Sequence, residues 1–467
     1  MLVVHMLNKL FMPVKFILKK TSVISETGLG KKDQINPVTL TIVGYLFYIV
    51  CGLAILSLPF MQSRYINMID NLFITTSAVS GAGLVTVSIA GSYSFFGQLV
   101  ILILIQLGNI GFMTWSSFII LTRRKDLPTE VASVNKTVFS VPETFKIETF
   151  IKAVIFFTFL IELCGSILLY FVFLKEGVPN PVWHAVFHSV SAFCTAGLST
   201  FNNNFMNYRS HLWVNATISL LSLLGALGFI VFIDLWLKLT GKIKKITFTS
   251  QIILKTTVFL VTIGTLLMYF TEPSLHNYPW KEKLLICFFQ VISAHSTAGF
   301  NTVGMATFSR ATLLLLTMMM IIGASPSGTG GGIRTTSFTA ILGLMRSVSR
   351  GETEIRFLGR EIPRERVLTA AASGALYFMF FCLGIYLLSL TSSFDIIDII
   401  FECASALSTV GLSTGITSSL NNAGKLIVIS LMIIGRAGLI TFGAAMFLKP
   451  NVNLFNIKKI KKEDLAV

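Results

Sequence analysis

Ser293-Ala294-His295-Ser296-Thr297-Ala298-Gly299-Phe300 would mean little alone, but the chain carries the pattern four times. Ser77-Ala78-Val79-Ser80-Gly81-Ala82-Gly83-Leu84 and Ser191-Ala192-Phe193-Cys194-Thr195-Ala196-Gly197-Leu198 come earlier. Ser405-Ala406-Leu407-Ser408-Thr409-Val410-Gly411-Leu412 comes later. Four copies of S-A-x-[SC]-[TG]-[AV]-G-[LF], spread through the chain, are an internal repeat, and a repeat governs how the residues between its copies are read.

Around each copy the apolar residues fall in the same order. Long blocks at 37–60 and 95–122 flank a short one at 69–82, and 150–174 and 212–237 flank 182–194. Blocks at 251–270 and 309–345 flank 282–296, and 367–390 and 424–448 flank 396–408. A spanning helix takes about 20 apolar residues, so the long blocks predict eight spans. The short blocks predict four re-entrant helices, whose loops are tolerated at membrane depth only where they line a protein cavity. The expected fold is an all-α polytopic membrane protein, four helix–pore loop–helix repeats around one pseudo-fourfold pore. The repeats take residues 36–122, 147–240, 249–345 and 366–449, between a basic arm at 1–35 and a basic tail at 450–467. A second mark follows each loop glycine at a matching offset: Gly108-Asn109-Ile110-Gly111, Gly225-Ala226-Leu227-Gly228, Gly323-Ala324-Ser325-Pro326 and Gly435-Arg436-Ala437-Gly438. Paired small residues let helices approach closely.

Bulk composition agrees. The 467 residues are 54% hydrophobic and 12% charged, with mean hydropathy +0.78, too apolar for a soluble chain of this length. The net charge of +16 sits in short connections between apolar blocks, where the positive-inside rule puts it, and this argues against a nucleic-acid surface. Basic residues crowd the connections after each second span and the tail, and are few beside the loops. Both termini are therefore expected in the cytoplasm, with the loops entering from outside. The six cysteines lie in or beside apolar blocks without a C-x-x-C pair, so free thiols are expected rather than disulfides or a metal site.

A dehydrated cation needs a substitute hydration shell, and rings of backbone carbonyls supply one. Gly83, Gly197, Gly299 and Gly411 suit a backbone that must visit positive φ. The candidate ion-binding residues are Ser80, Gly81, Ala82, Gly83 and Leu84; Cys194, Thr195, Ala196, Gly197 and Leu198; Ser296, Thr297, Ala298, Gly299 and Phe300; and Ser408, Thr409, Val410, Gly411 and Leu412. No fixed charge lies in these segments, so carbonyl dipoles would select the ion. The short helices aim their partially negative C-terminal ends at the loops, which favours a cation. The competing reading is four glycines that serve helix packing alone.

The fourfold plan, the four S-T-A-G-L-like loops and Gly435-Arg436-Ala437-Gly438 resemble the Trk/Ktr/HKT superfamily of potassium transporters, most closely its Ktr membrane subunit. The resemblance covers about residues 36–450. It implies K⁺ as the transported ion, because Gly83 stands where sodium-selective members carry serine. It also implies no cofactor in this chain, Na⁺ as a modulator, a homodimer in the cell membrane, and a cytoplasmic ring of nucleotide-binding regulatory subunits. Two departures stand out: Gly81 where the other loops have threonine, implying less regular coordination, and Leu439 where relatives carry proline.

The second span of the third repeat is the only one expected to be broken. Gly323-Ala324-Ser325-Pro326-Ser327-Gly328-Thr329-Gly330-Gly331-Gly332 cannot stay helical at ordinary cost, and the resemblance makes it an intramembrane gating loop. Its glycines lack the lysine and preceding strand of a phosphate-binding loop. Arg436, at membrane depth, is functional by default. It is read either as a barrier or loop-holding group, or as a structural partner of Glu162, which is otherwise bonded to backbone or protonated. Glu402 and Asp398 are read as cation-attracting at the entrance or merely solvated, and His188 and His295 as packing residues. A sodium-selective or sodium-coupled member of the same superfamily is the alternative function. The chain carries no convincing catalytic set for a membrane enzyme.

Overall fold

In the computed structural model of the chain, the residues described are 37–111, 147–352 and 354–438, with Thr114, Ser117 and Leu121. The arm at 1–35, the tail at 450–467, Leu439 and the far ends of the second spans in repeats 1 and 4 lie outside them.

The order long helix, short helix, loop, helix recurs four times. Repeat 1 has α1 (Pro37–Leu56), α2 (Met68–Ser80) and α3 (Phe95–Ile110), with one helical turn at Ile89–Ser92 between the last two. Repeat 2 has α4 (Ile147–Lys175), α5 (Pro181–Phe193), α6 (Leu212–Leu227) and α7 (Phe229–Leu239). Repeat 3 has α8 (Phe248–Thr271), α9 (Trp280–His295), α10 (Arg310–Ile321) and α11 (Thr335–Ser349). A two-stranded hairpin, β1 (Arg356–Phe357) with β2 (Arg360–Glu361), leads to repeat 4: α12 (Arg364–Thr391), α13 (Ile396–Leu407) and α14 (Asn422–Ala437).

Each repeat starts its second helix with a side-chain cap. Ser94 accepts from the Gly97 amide, His211 from Val214, Ser309 from Thr312 and Asn421 from Gly424. A cap satisfies one of the donors a helix start leaves without an internal partner, so each chain reversal out of a loop ends at a defined residue.

Among the described residues, α4, α8 and α12 are each long and apolar enough to cross a membrane, and α6 with α7 passes that test as a pair. The α12 face bearing Leu368, Phe378, Leu383, Tyr386 and Leu390 is exposed, the apolar surface that lipid solvates. Fully buried aromatic rings pack around the short helices: Phe73 on α2, Phe187 and Phe193 on α5, Phe289 on α9 and Phe401 on α13.

The expectation of a single broken second span is corrected. The block at 212–237 is not one straight helix: α6 and α7 meet at a 95° bend at Gly228. Gly111, Gly228 and Gly438 end their helices with φ of +93°, +82° and +86°. The second glycine of G-x-x-G is therefore a helix breaker, because its backbone sits where a β-carbon is penalised. Repeat 3 breaks as expected, between Ile321 and Thr335.

Candidate ion pathway

Each short helix ends in the same local closure. The amides of Ala82, Ala196, Ala298 and Val410 donate to the carbonyls of Ser77, Ser191, Ser293 and Ser405, at 2.9, 2.8, 2.9 and 2.8 Å. Such a bond needs a left-handed residue just before it. Gly81, Thr195, Thr297 and Thr409 fill that place, with φ of +69°, +50°, +57° and +52°. Gly81 thus shares the backbone conformation of the three threonines; a β-carbon there would collide with Oδ1 of Asn109. Two residues on, Gly83, Gly197, Gly299 and Gly411 are left-handed as well.

These four glycines meet in a closed ring taken in chain order. A β-carbon built on Gly83 would lie 2.7 Å from the Ala196 carbonyl oxygen and 3.2 Å from Gly197 Cα. One on Gly197 would lie 2.7 Å from the Ala298 oxygen and 3.1 Å from Gly299 Cα. One on Gly299 would overlap the Val410 oxygen and lie 3.0 Å from Gly411 Cα. One on Gly411 would lie 2.9 Å from the Ala82 oxygen and 2.8 Å from Gly83 Cα, closing the circuit. Each loop therefore sets one carbonyl beside the glycine of its neighbour. The C-terminal ends of α2, α5, α9 and α13 bring partial negative charge to the same place. A ring of uncharged carbonyl dipoles can replace the water around a cation.

Residues that the sequence reading left out of the site hold the loops in place. In repeats 2, 3 and 4 the serine opening the motif reaches across its own loop: Ser191 Oγ donates to Leu198 O at 2.7 Å and Ser293 Oγ to Phe300 O at 2.6 Å, while Ser405 Oγ accepts from the Gly411 amide at 3.0 Å; in repeat 1 the buried Ser77 hydroxyl has no hydrogen-bond partner. Their invariance among the four copies was the signal. The first glycine of G-x-x-G lets the second helix pass under the end of the short one. A β-carbon on Gly108, Gly225 or Gly435 would collide with the carbonyl of Val79, Phe193 or Leu407.

Directly against the ring lies the Gly323–Gly332 segment. Thr329 Oγ1 donates to Phe193 O at 3.0 Å, and Thr195 Oγ1 donates to Thr329 Oγ1 at 3.2 Å. The Gly331 amide donates to Thr297 Oγ1 at 3.1 Å. Gly330 abuts the Ser296 carbonyl, and Gly331 abuts that of Ser408. The Ser325 and Thr329 amides donate to Ala226 O and Gly225 O, and Ser327 Oγ accepts from the Ile230 amide. Pro326 O and Gly328 pack on Gly228, and Gly323 and Gly332 pack on each other. The segment thus touches loops 2, 3 and 4 and is threaded onto the break between α6 and α7.

Two guanidinium groups hold it. Arg436 donates to Thr329 O at 2.5 Å, and to Gly108 O and Asn109 O at 2.9 and 2.7 Å. Arg334, absent from the candidate residues, donates to Ser325 O and Gly330 O at 2.9 and 3.1 Å. Arginine inside an apolar block was the available signal, the same one that singled out Arg436.

Glu162 does not pair with Arg436. Its carboxylate accepts from Gln106 Nε2 at 2.9 Å and from Cys194 Sγ at 3.6 Å. Glu402 is not solvated: it is fully buried and accepts from Ser413 Oγ at 2.7 Å and from Thr417 Oγ1, so it shapes the chain leaving loop 4. Asp398 is half-buried. His188 bonds His184 O and Ser199 Oγ, and His295 bonds Ile322 O, which are scaffold contacts. Among the described residues no cluster of three or more His, Cys, Asp or Glu is arranged to hold a metal ion.

The family model described as "Cation transport protein", TrkH, matches residues 16–455. The chain is 31% identical to the potassium/sodium uptake protein NtpJ of Enterococcus hirae, over 90% of this chain and 95% of that one. It is 30% identical to the Ktr system potassium uptake protein B of Bacillus subtilis, over 88% and 92%. Among solved structures, the potassium transporter TrkH from Vibrio parahaemolyticus matches with a TM-score of 0.70 at 18% identity, over 91% of this chain and 86% of that chain; that likeness is one of fold.

Proposed function

This chain belongs to the TrkH family of cation transport proteins, and we propose that it takes up potassium through the ring of four loops. The reading rests above all on the cyclic meeting of Gly83, Gly197, Gly299 and Gly411, each beside a carbonyl of the neighbouring loop. Potassium sheds water more cheaply than sodium, and an uncharged carbonyl ring suits it. The names of the relatives, potassium/sodium uptake protein and potassium uptake protein B, fit that substrate class.

In this proposal the chain crosses the cell membrane eight times with both ends in the cytoplasm, and the loops open outward. The membrane potential drives K⁺ inward. The segment from Gly323 to Gly332 is the gate, held shut by Arg436. The transporting unit is a homodimer, and a separate cytoplasmic ring of nucleotide-binding subunits moves the gate. K⁺ is the cargo, Na⁺ a modulator, and this chain holds no cofactor of its own. The "Ktr system" in a relative's name supports a membrane subunit that works with other components.

The test is K⁺ and Na⁺ flux into vesicles carrying the purified chain, wild type beside Gly299→Ser. The serine must adopt φ near +76° with its β-carbon against Val410 O, which displaces a ring carbonyl. The K⁺/Na⁺ flux ratio is expected to fall at least tenfold. An unchanged ratio would remove the ring from the pathway. A second reading, transport of sodium as well as potassium, is favoured by the name of the Enterococcus relative; comparable K⁺ and Na⁺ flux through the wild type would select it.

A further inference from the structure

The first residue of each loop, Ser80, Cys194, Ser296 or Ser408, occupies one equivalent place, and its surroundings differ from repeat to repeat. In repeat 4, Ser408 Oγ shares a 2.7 Å hydrogen bond with the hydroxyl of Tyr377 on α12. In repeat 2, Cys194 Sγ points at Oε1 of Glu162 on α4, at 3.6 Å, and at Oε1 of Gln106 on α3, at 3.4 Å. Gln106 Nε2 in turn donates to the other Glu162 oxygen at 2.9 Å. Tyr377 and Glu162 stand at matching places on the first spans of their repeats, and both are buried, 3% and 5% exposed. Repeat 3 has no such link: the buried hydroxyl of Ser296 and that of Thr265, on the corresponding stretch of α8, are both without a hydrogen-bond partner.

We infer that Tyr377 and Glu162 are positioning residues for ion selectivity, bracing loops 4 and 2 from behind through Ser408 and Cys194, while loop 3 is left compliant. The inference rests on the ring being the selectivity filter. A carbonyl ring discriminates between ions only while its radius and stiffness are held, and hydrogen bonds from packed side chains behind it do that. Both braces come from first spans, whereas the Gly323–Gly332 segment is bonded by residues of α5, α6, α7 and loop 3 and by Arg436. The unbraced loop 3 instead gives Thr297 Oγ1 to the Gly331 amide and its Ser296 carbonyl to contact with Gly330. Stiffness is thereby supplied to loops 2 and 4 by first spans, while loop 3 bonds the segment instead and Ser80 of loop 1 donates to Ser77 O of its own helix at 3.4 Å.

The experiment is K⁺ and Na⁺ flux in vesicles with Tyr377→Phe, Ser408→Ala and their double variant, and with Glu162→Ala, Cys194→Ala and theirs. Thr265→Val, which removes an unpartnered hydroxyl, is the control. Tyr377→Phe should lower the K⁺/Na⁺ flux ratio about fivefold, the equivalent of one hydrogen bond of about 1 kcal/mol. Ser408→Ala should do the same, and the double variant should be no worse than either single. The Glu162 and Cys194 pair should behave likewise, and Thr265→Val should keep the wild-type ratio. A wild-type ratio in Tyr377→Phe, or a double variant in which the two losses multiply, would overturn the brace. If one pair yields no monodisperse protein, the other decides alone. A wild type without discrimination would instead refute the potassium-selective reading on which the inference rests, so the two failures are distinguishable.

Discussion

Arg436 carries the sharpest quantitative expectation. Its guanidinium makes three hydrogen bonds to backbone carbonyls, and only the 2.5 Å bond to Thr329 O holds the Gly323–Gly332 segment; the other two, to Gly108 O and Asn109 O, secure the end of α3. A bond from a charged donor contributes about 1.5–3 kcal/mol. Glutamine at this position is shorter and uncharged, so most of that contribution is lost from the closed arrangement. At about 1.4 kcal/mol per factor of ten, the ratio of open to closed segments should rise about ten- to a hundredfold. Removing a positive charge beneath a cation pathway acts in the same direction. Uptake of rubidium as a potassium tracer, driven by an imposed membrane potential into vesicles without any regulatory partner, reads this directly. Arg436→Gln should take up tracer at least tenfold faster than wild type, and Arg436→Lys, a point charge without the fork, should fall between. Uptake at or below the wild-type rate from a monodisperse Arg436→Gln preparation would show that this bond does not hold a gate.

Two further expectations concern stability. Gly225→Ala drives a β-carbon into Phe193 O and to 2.8 Å from Thr329 Oγ1, an overpacking against backbone that costs about 1–3 kcal/mol; its thermal midpoint should drop, whereas Gly91→Ala, whose nearest neighbours would be 3.9 and 4.0 Å away, should match wild type. Glu272, just past the end of α8, titrates below the usual carboxylate range: burial pushes it up, but hydrogen bonds from the Ser274 amide and from the amide and hydroxyl of Ser309 outweigh that. A carboxyl group depressed in the folded state stabilises the fold above its unfolded pKa and loses that contribution as pH falls through the folded value. The thermal midpoint should therefore decline below about pH 4.5, and Glu272→Gln should flatten that decline; equal acid sensitivity in the variant would remove Glu272 as its cause.

The loops and short helices were legible in the sequence because a repeat marks itself. The expected short block at 182–194 is α5, Pro181–Phe193, and that at 396–408 is α13, Ile396–Leu407. The second glycine of G-x-x-G was misread because one letter serves two physical needs. Gly225 admits a neighbouring carbonyl, while Gly228 turns the chain through 95°, and apolar context looks the same in both. Arg334 escaped notice at the edge of a glycine run, although it too lies between apolar stretches, the signal that singled out Arg436. The links from Tyr377 to Ser408 and from Glu162 to Cys194 join different helices, and no local pattern in a single sequence announces such a pairing.

The closing contact of the ring, Gly411 against Gly83, has a consequence for how the protein is made. A fourfold channel of separate subunits obtains its symmetry from the association of finished copies. Here the first loop is synthesised long before its last neighbour. For most of translation the carbonyls around Gly83 have no circle to complete, and the buried polar groups behind them must be sheltered by lipid headgroups, water or an insertion partner. The last contact the growing chain can complete is thus the one that closes the ring.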